Sequence, residues 1–518
     1  MSRRAARRRH HLPVLLLTAL AAILAAGCDR VVELAVHVPE PERAVWDRLV
    51  AQHPLPEAFV EVNADSRSAS ALLLDRRVAP ALPPHAERRI VLERTWLAPA
   101  APLWQAGRVL GASEPTPDRA GELVALREIS LPLTALPVEG RVAGDEGYPY
   151  VQQLVLELRP DRLGLAADDE QREALAAWFA RLPADERPAP SVAWLGGVGD
   201  LMVARGVTRL LDRADGLEVV FGDVLGLMQD VGLLLGNLEG AVTTRGVPLE
   251  KTFTFRFHPR VLGPLAEAGF DYLSVVNNHS WDYAEVGFRD TLAHLRASGM
   301  ATSGAGLSLD EASRPYETVL GPRGQADSRT SVSPGGTAVR ILSVGAYPLE
   351  RSGFDGARET PAGPDRPGVL WADPRNPAAQ REAFAAIEAS FGPATFDVVM
   401  VHGGPEWALH PSAGQRELYR SFVDAGADLV LGHHSHVVQG LESYRGGLIA
   451  HSLGNFVFPG MFVTEFGEES IFLRIGLVDG EIRYVDPVPV RIDHQRISLD
   501  ASEAILRRVR QNTRRLHE

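Results

Sequence analysis

The sequence predicts an α/β protein whose larger part is built from buried sheets covered by helices. Three observations lead there. Short apolar runs recur between positions 192 and 450 and are continuous rather than alternating, as in strands covered on both faces. Stretches with apolar residues at helical spacing lie between several of them, at 259–268, 284–297, 377–390 and 415–425. Each apolar run ends in Asp, Glu, Asn or His, at the carboxyl edge where α/β sheets gather their ligands.

The 518 residues allow two or three domains of roughly 100–200 residues each. Hydrophobic content of 45% and charged content of 23% are those of a globular chain. A formal charge of −13 speaks against a nucleic-acid partner, which calls for a basic surface. The one cysteine, Cys28, rules out an intramolecular disulfide. It follows a basic segment (Arg3, Arg4, Arg7, Arg8 and Arg9), an uncharged apolar run over 12–24 and the small residues Ala25-Ala26-Gly27. That apolar run is short for a spanning helix of about 20 residues. Residues 1–27 read as a leader, and the Gly27-Cys28 junction resembles a bacterial lipobox, which implies a lipid on Cys28. The expected location is the cell envelope, on the outer side of the cytoplasmic membrane or in the periplasm. Loss of the five arginines takes the formal charge from −13 to −18.

Residues 28–181 read as an accessory α/β domain. Strands are predicted over 31–38, 89–93 and 152–158, and helices over 41–52 and 169–181, with Pro-rich breaks between them. The opening and the passage 131–158 resemble periplasmic solute-binding domains; a spacer domain is the alternative. The polar, Pro-rich stretch 182–190 is the predicted linker to a second domain over 191–492.

In that second region the strand ends carry distinct chemistry. Val192–Val198 leads to Gly199-Asp200, and Val231–Leu235 to Gly236-Asn237-Leu238-Glu239. Tyr272–Val276 leads to Asn277-Asn278-His279, with Asp282 close behind. Val398–Val401 leads to His402-Gly403-Gly404, with Glu406 following. Leu429–Leu431 leads to Gly432-His433-His434-Ser435-His436, and Leu448–Ala450 to His451-Ser452-Leu453-Gly454-Asn455. One such end is explained by a helix cap at Asp200 or a tight turn at Asn278. Six in one region are not, because turns have no need of histidine. His434 and His436, two apart just past a strand, can both turn onto one metal ion, and neutral imidazole is the commonest protein ligand for Zn, Mn and Fe.

Two stretches without periodicity, 321–337 and 351–367, read as surface excursions, the second near the site mouth. Asp479-Gly480 between two strand patterns predicts a hairpin. The Arg-rich end, 493–518, reads as a solvated terminal helix.

Taken together, Gly199-Asp200-Leu201-Met202, Asn237-Leu238-Glu239, Asn277-Asn278-His279 with Asp282, His402-Gly403-Gly404 with Glu406, Gly432-His433-His434-Ser435-His436 and Ser452-Leu453-Gly454-Asn455-Phe456 resemble the bacterial capsule-synthesis CapA, or poly-γ-glutamate capsule, family over about 300 residues. That family is related to calcineurin-like metallophosphoesterases. The resemblance implies a four-layer αββα sandwich with one or two divalent ions (Mn, Zn or Fe) held by Asp200, Glu239, Asn278, His402, His434 and His436. Glu239 stands in the place of a bridging aspartate, with Asn237 as the alternative. Met202 replaces the histidine that phosphoesterases carry two residues after Asp200, and Gly403 replaces an aromatic residue, so the number of ions stays open.

The implied activity is that of a lipid-anchored, metal-dependent hydrolase of a phosphoester or related bond in capsule or exopolymer synthesis. His279 would protonate the leaving oxygen, and Asp282 would orient its ring. The alternatives are a non-catalytic, metal-containing component of polymer synthesis or export, and a γ-glutamyl hydrolase. Expected partners are an anionic polymer or phosphoester substrate, the membrane through the anchor, and membrane proteins of capsule synthesis.

Overall fold

The computed structural model describes residues 32–38, 43–57, 59–64, 71–76, 88–107, 122–138, 140–146, 148, 150–159, 163, 167–184, 189–321, 336–461 and 463–518. The leader, Cys28, residues 185–188 of the expected linker and most of the excursion 321–337 lie outside the described residues. The chain divides into two units, 1–95 with 150–188, and 96–149 with 189–518.

In the first unit the parallel strands Val32–His37 and Phe59–Asn63 adjoin Ala71–Arg76, which pairs antiparallel with Val151–Leu158. The helices Arg43–Gln52 and Asp169–Ala180 supply Trp46, Leu175, Trp178 and Phe179 to its core. Asp168 and Gln171 form a reciprocal capping box at the start of the second helix. Two of these strands, Phe59–Asn63 and Ala71–Arg76, were not expected from the sequence.

The second unit is a four-layer α/β sandwich. Its first sheet runs through the strands Tyr272–Ser274, Leu233–Leu238, Ala193–Leu201, Glu469–Val478 and Glu481–Asp493. Its second sheet has Thr337–Ala346, Phe396–Gly403, Leu429–His433 and Gly447–Ala450 in parallel, with the antiparallel strands Tyr316–Leu320 and Leu441–Tyr444 at its edges.

Alternation along each strand builds the layers. Leu195, Leu233, Leu235, Leu473 and Ile475 meet Ile341, Val398, Met400, Leu429 and Leu431 between the sheets. From the same strands Leu234 and Phe472 face outward, toward Leu265, Phe288, Leu292 and Leu295 of the helices Leu262–Glu267 and Ala284–Ser298. On the opposite outer face Leu342, Val344, Val399, Val401 and Val430 meet the helices Pro377–Ser390 and Ala413–Asp424. Both faces of these strands are dry, which is why their sequences run apolar without a break. Each such side chain, fully buried, contributes about 1.5–3 kcal/mol.

The structure departs from the sequence reading at two places in this unit. Residues 96–149, expected in the first region, group with the second unit. Ala135 of strand Leu133–Ala135 pairs with Tyr484, Val485 N–H donates to Thr134 Oγ1 at 2.9 Å, and Ala143 N–H donates to Tyr484 Oη at 3.0 Å. Residues 493–499 are not part of a terminal helix but close an antiparallel pair with Glu481–Asp493. The helix Ala504–His517 that follows is amphipathic rather than solvated all round. It buries Ile505, Leu506 and Val509, two of them in the core between the sheets.

Candidate metal centre

The carboxyl ends of the parallel strands from both sheets deliver one buried cluster. Asp200 lies beside Asn237 in register, and Asn237 beside Ser274, so the loop 275–282 emerges next to them. In the facing sheet His402 is in register with His433, which places His434 just past the strand end. The strand Asn455–Val457 completes the rim by pairing with Asp200 and Leu201. That approach requires Gly199, where a Cβ would stand 2.1 Å from the Gly454 carbonyl oxygen.

Asp200, Glu239, Asn278, His279, Asp282, His402, His434 and His436 are all buried. Asn237 Nδ2 donates to Asp200 Oδ1 at 2.8 Å and lies 3.1 Å from His402 Nδ1. Asn237 Oδ1 accepts from Asn277 Nδ2 at 3.2 Å, so both ends of this amide are engaged. His402 Nε2 lies 2.9 Å from Asn278 Oδ1 and 3.1 Å from His434 Nδ1. His436 Nδ1 is 3.4 Å from Asp200 Oδ2 and 2.9 Å from Asn455 Oδ1.

Glu239 differs from its neighbours. Among the described residues neither of its carboxylate oxygens has a hydrogen-bond partner, and His434 Nε2 has none either. His279 Nε2 lies 3.8 Å and His402 Nε2 3.9 Å from Glu239 Oε1. Two triads share it: Glu239 with His434 and His436, and Glu239 with Asp200 and His402, the ligand atoms of each lying within 4.8 Å of one another. His434 and His436 hold φ of 89° and 59°, left-handed values that cost a non-glycine residue about 1–3 kcal/mol and persist where the surroundings enforce them.

Burial and the crowding of like groups dominate the electrostatics of the cluster. Burial, with the nearby Asp200 charge, raises the Glu239 pKa well above the usual carboxylate range. Burial brings His434 down to about 3, helped by the His436 charge. Burial and the surrounding imidazoles also hold His402 well below its ordinary value. Burial would lower His436 too, but the Glu239 and Asp200 carboxylates outweigh it and carry His436 up to about 9. A donor set of two carboxylates, three imidazoles and an amide oxygen, tight enough to share an ion and partly without partners, fits one or two divalent cations.

Beside this cluster His279 Nδ1 meets Asp282 Oδ2 at 2.7 Å, and the Phe255 ring packs against the imidazole with centroids 4.1 Å apart and planes tilted by 35°. Other residues of the strand ends are engaged outside the ligand set, although His433 and Glu406 still bear on its charges. His433 Nε2 bonds the Val198 carbonyl at 3.1 Å. His451 pairs with Glu442 at 2.8 Å and stacks on Tyr419. Glu406 is exposed. Sequence reading gave no role to three residues that touch the site: Asn455, whose motif was noted, and Lys251 and Glu350, which sit in loops without periodicity.

The bacterial capsule synthesis protein PGA_cap family matches residues 195–460, half of the chain. The PGA biosynthesis protein CapA of Bacillus subtilis is 32% identical over 266 residues, 50% of this chain and 62% of that protein. The capsule biosynthesis protein CapA of Bacillus anthracis is 28% identical over 300 residues, 57% of this chain and 66% of that protein. The chain thus spans less than two thirds of either relative. Among solved structures, a novel phosphatase from Mycoplasma pneumoniae aligns at 12% identity with a TM-score of 0.34, over 59% of this chain and 95% of that one. Because the family match runs through every strand end that contributes to the buried cluster, from Asp200 to Asn455, the chain belongs to the bacterial capsule synthesis protein family.

Proposed function

We propose that this chain is a metal-dependent hydrolase of a phosphoester or related bond, working in capsule or exopolymer synthesis of the poly-γ-glutamate type. The observation that carries the reading is Glu239, a fully buried carboxylate with two unbonded oxygens at the junction of two ligand triads. A buried charge without partners is strongly unfavourable, and bound divalent cations would relieve it. Glu239 serves this role better than Asn237, whose amide is already bonded at both ends. Asp200 and His402 would complete one ion's shell and His434 and His436 the other's, with Asn278 Oδ1 beside them. Bound divalent cations would stabilise charge on the reacting group and make water acidic near neutrality.

The chain's own residues supply the rest. His279 holds its Nδ1 proton against the Asp282 carboxylate and presents Nε2 on the Glu239 side, where it can exchange a proton with a leaving oxygen. Burial lowers the His279 pKa against the pull of Asp282, so a proton taken up at Nε2 from water is readily given to a departing oxygen. The capsule names of the relatives support an envelope polymer as the setting, and the leader sequence supports an anchor on Cys28.

The test uses the purified full-length protein, assayed on an aryl phosphoester and on poly-γ-glutamate with and without added Mn, Zn or Fe. The expected result is metal bound at one or two ions per chain and metal-dependent phosphoester cleavage, both lost in Glu239→Gln. Full metal content with no turnover of either substrate would overturn the hydrolase reading in favour of a metal-containing binding component. Cleavage of polyglutamate alone would reassign the bond.

A further inference from the structure

We propose that Lys251 is a positioning residue: its buried ammonium fixes both the amide orientation of Asn278 and the imidazole tautomer of His279. The inference rests on the hydrolase reading for its effect on metal and turnover, while the two orientations it explains belong to the chain alone.

Lys251 lies 27 residues before Asn278 in sequence, in the loop that leads to Phe255, and its side chain is 1% exposed. Its ammonium has three N–H groups and three oxygen partners: the Asn278 carbonyl at 2.7 Å, Asp282 Oδ1 at 2.8 Å and Glu350 Oε1 at 2.9 Å. The ammonium also lies over the Phe354 ring, 4.4 Å from its centroid. A buried ammonium survives only when paired in this way.

Each carboxylate passes the constraint on. Asp282 Oδ2 takes the Phe255 N–H at 2.6 Å and His279 Nδ1 at 2.7 Å. A carboxylate held against an ammonium accepts and does not donate, so the His279 proton sits on Nδ1 and Nε2 is left for the site. Glu350 Oε1, bonded to Lys251, also accepts from Asn278 Nδ2 at 3.1 Å. That pins the amide with its oxygen inward, 2.9 Å from His402 Nε2. One cation on a distant loop therefore sets two adjacent side chains, one for a metal and one for a proton. Partners of this kind, one step out from the ligands, typically carry 10–100-fold in metal affinity or activity.

The test compares Lys251→Met with wild type by two readouts. In the metal-free protein, 15N shifts of the histidine rings, with His279 assigned by difference from His279→Gln, report which nitrogen carries the proton. Wild type should show the proton on Nδ1, and Lys251→Met should show a mixture. Metal titration should show a roughly tenfold or greater loss of affinity in Lys251→Met. Ethylammonium added to Lys251→Ala should restore both signals. If Lys251→Met does not fold, Glu350→Ala replaces it: Asn278 Nδ2 loses its acceptor and metal affinity falls while the His279 tautomer stays, and wild-type affinity in that variant overturns the proposal. A folded Lys251→Met with wild-type tautomer and wild-type metal affinity overturns the proposal. Should wild type bind no metal, the hydrolase reading falls and the ring shifts still decide the role of Lys251.

Discussion

Glu239 and His436 make the metal-free centre pH-sensitive, with both shifts of the same sign. Their folded-state pKa values are raised above the unfolded values of about 4.3 and 6.5. A raised pKa gives stability that is present below the unfolded value and lost as pH rises through the folded one, here up to about 9 for His436. Metal-free protein should therefore melt at progressively lower temperature between pH 6.5 and 9, and His436→Asn should flatten that slope. Metal binding has the opposite trend, because the ligands must lose their protons, so affinity should rise across the same range with protons released to buffer. Calorimetric titration in buffers of different ionisation enthalpy measures that release. No proton release between pH 6.5 and 9 would contradict the ligand assignment to His436.

At the scale of elements, close approach between strands decides whether the ligands meet. Gly199→Ala puts a methyl group on the Gly454 carbonyl, at the point where Asp200 N–H donates to that same oxygen at 3.0 Å. The expected cost is about 1–3 kcal/mol of overpacking together with loss of metal, read by thermal melting and metal analysis. A stable Gly199→Ala with full metal content would contradict this geometry. The terminal helix makes a separate claim. Ile505 is 1% exposed in the core between the sheets, so Ile505→Ala should cost about 2–5 kcal/mol in a denaturant melt. A solvated helix would lose almost nothing. The sequence shows most of these elements because their strands are dry on both faces and end in polar residues of a few kinds. It shows Asp200, His434 and His436 because metal-ligand types at strand ends are improbable as turns. Lys251 stays hidden, since one lysine in an irregular loop is indistinguishable from a solvated one until Asp282 and Glu350 are seen beside it. The terminal helix is misread because five arginines from 507 to 515 mask an apolar stripe of Ile505, Leu506 and Val509.

For the whole molecule, the grouping of 96–149 with 189–518 changes what an independent fragment must contain. A chain of 191–492 alone lacks Thr134, Ala135 and Leu103, which cover Tyr484 and Val485, and also lacks Ile505 and Val509. It should be insoluble or melt well below a protein that retains 96–149 and the terminal helix; equal stability of the two would place the boundary where the sequence put it. The anchor is a second claim at this scale. No described helix is long and apolar enough to cross a membrane. Separately, the Gly27-Cys28 junction carries the expectation of a lipid: Cys28→Ser should release the protein from the membrane fraction or block its processing, and wild-type fractionation of that variant would refute the lipid.

The most direct measurement is anomalous diffraction from crystals of the full-length protein loaded with Mn or Zn. Density is expected within the cluster, one ion between Glu239, Asp200 and His402 and a second between Glu239, His434 and His436 if both triads fill, with carboxylate oxygens about 2.0–2.2 Å and imidazole nitrogens about 2.0–2.1 Å from zinc. Ions bound elsewhere, with both Glu239 oxygens still unpartnered at saturating metal, would contradict the metal centre and the function built on it.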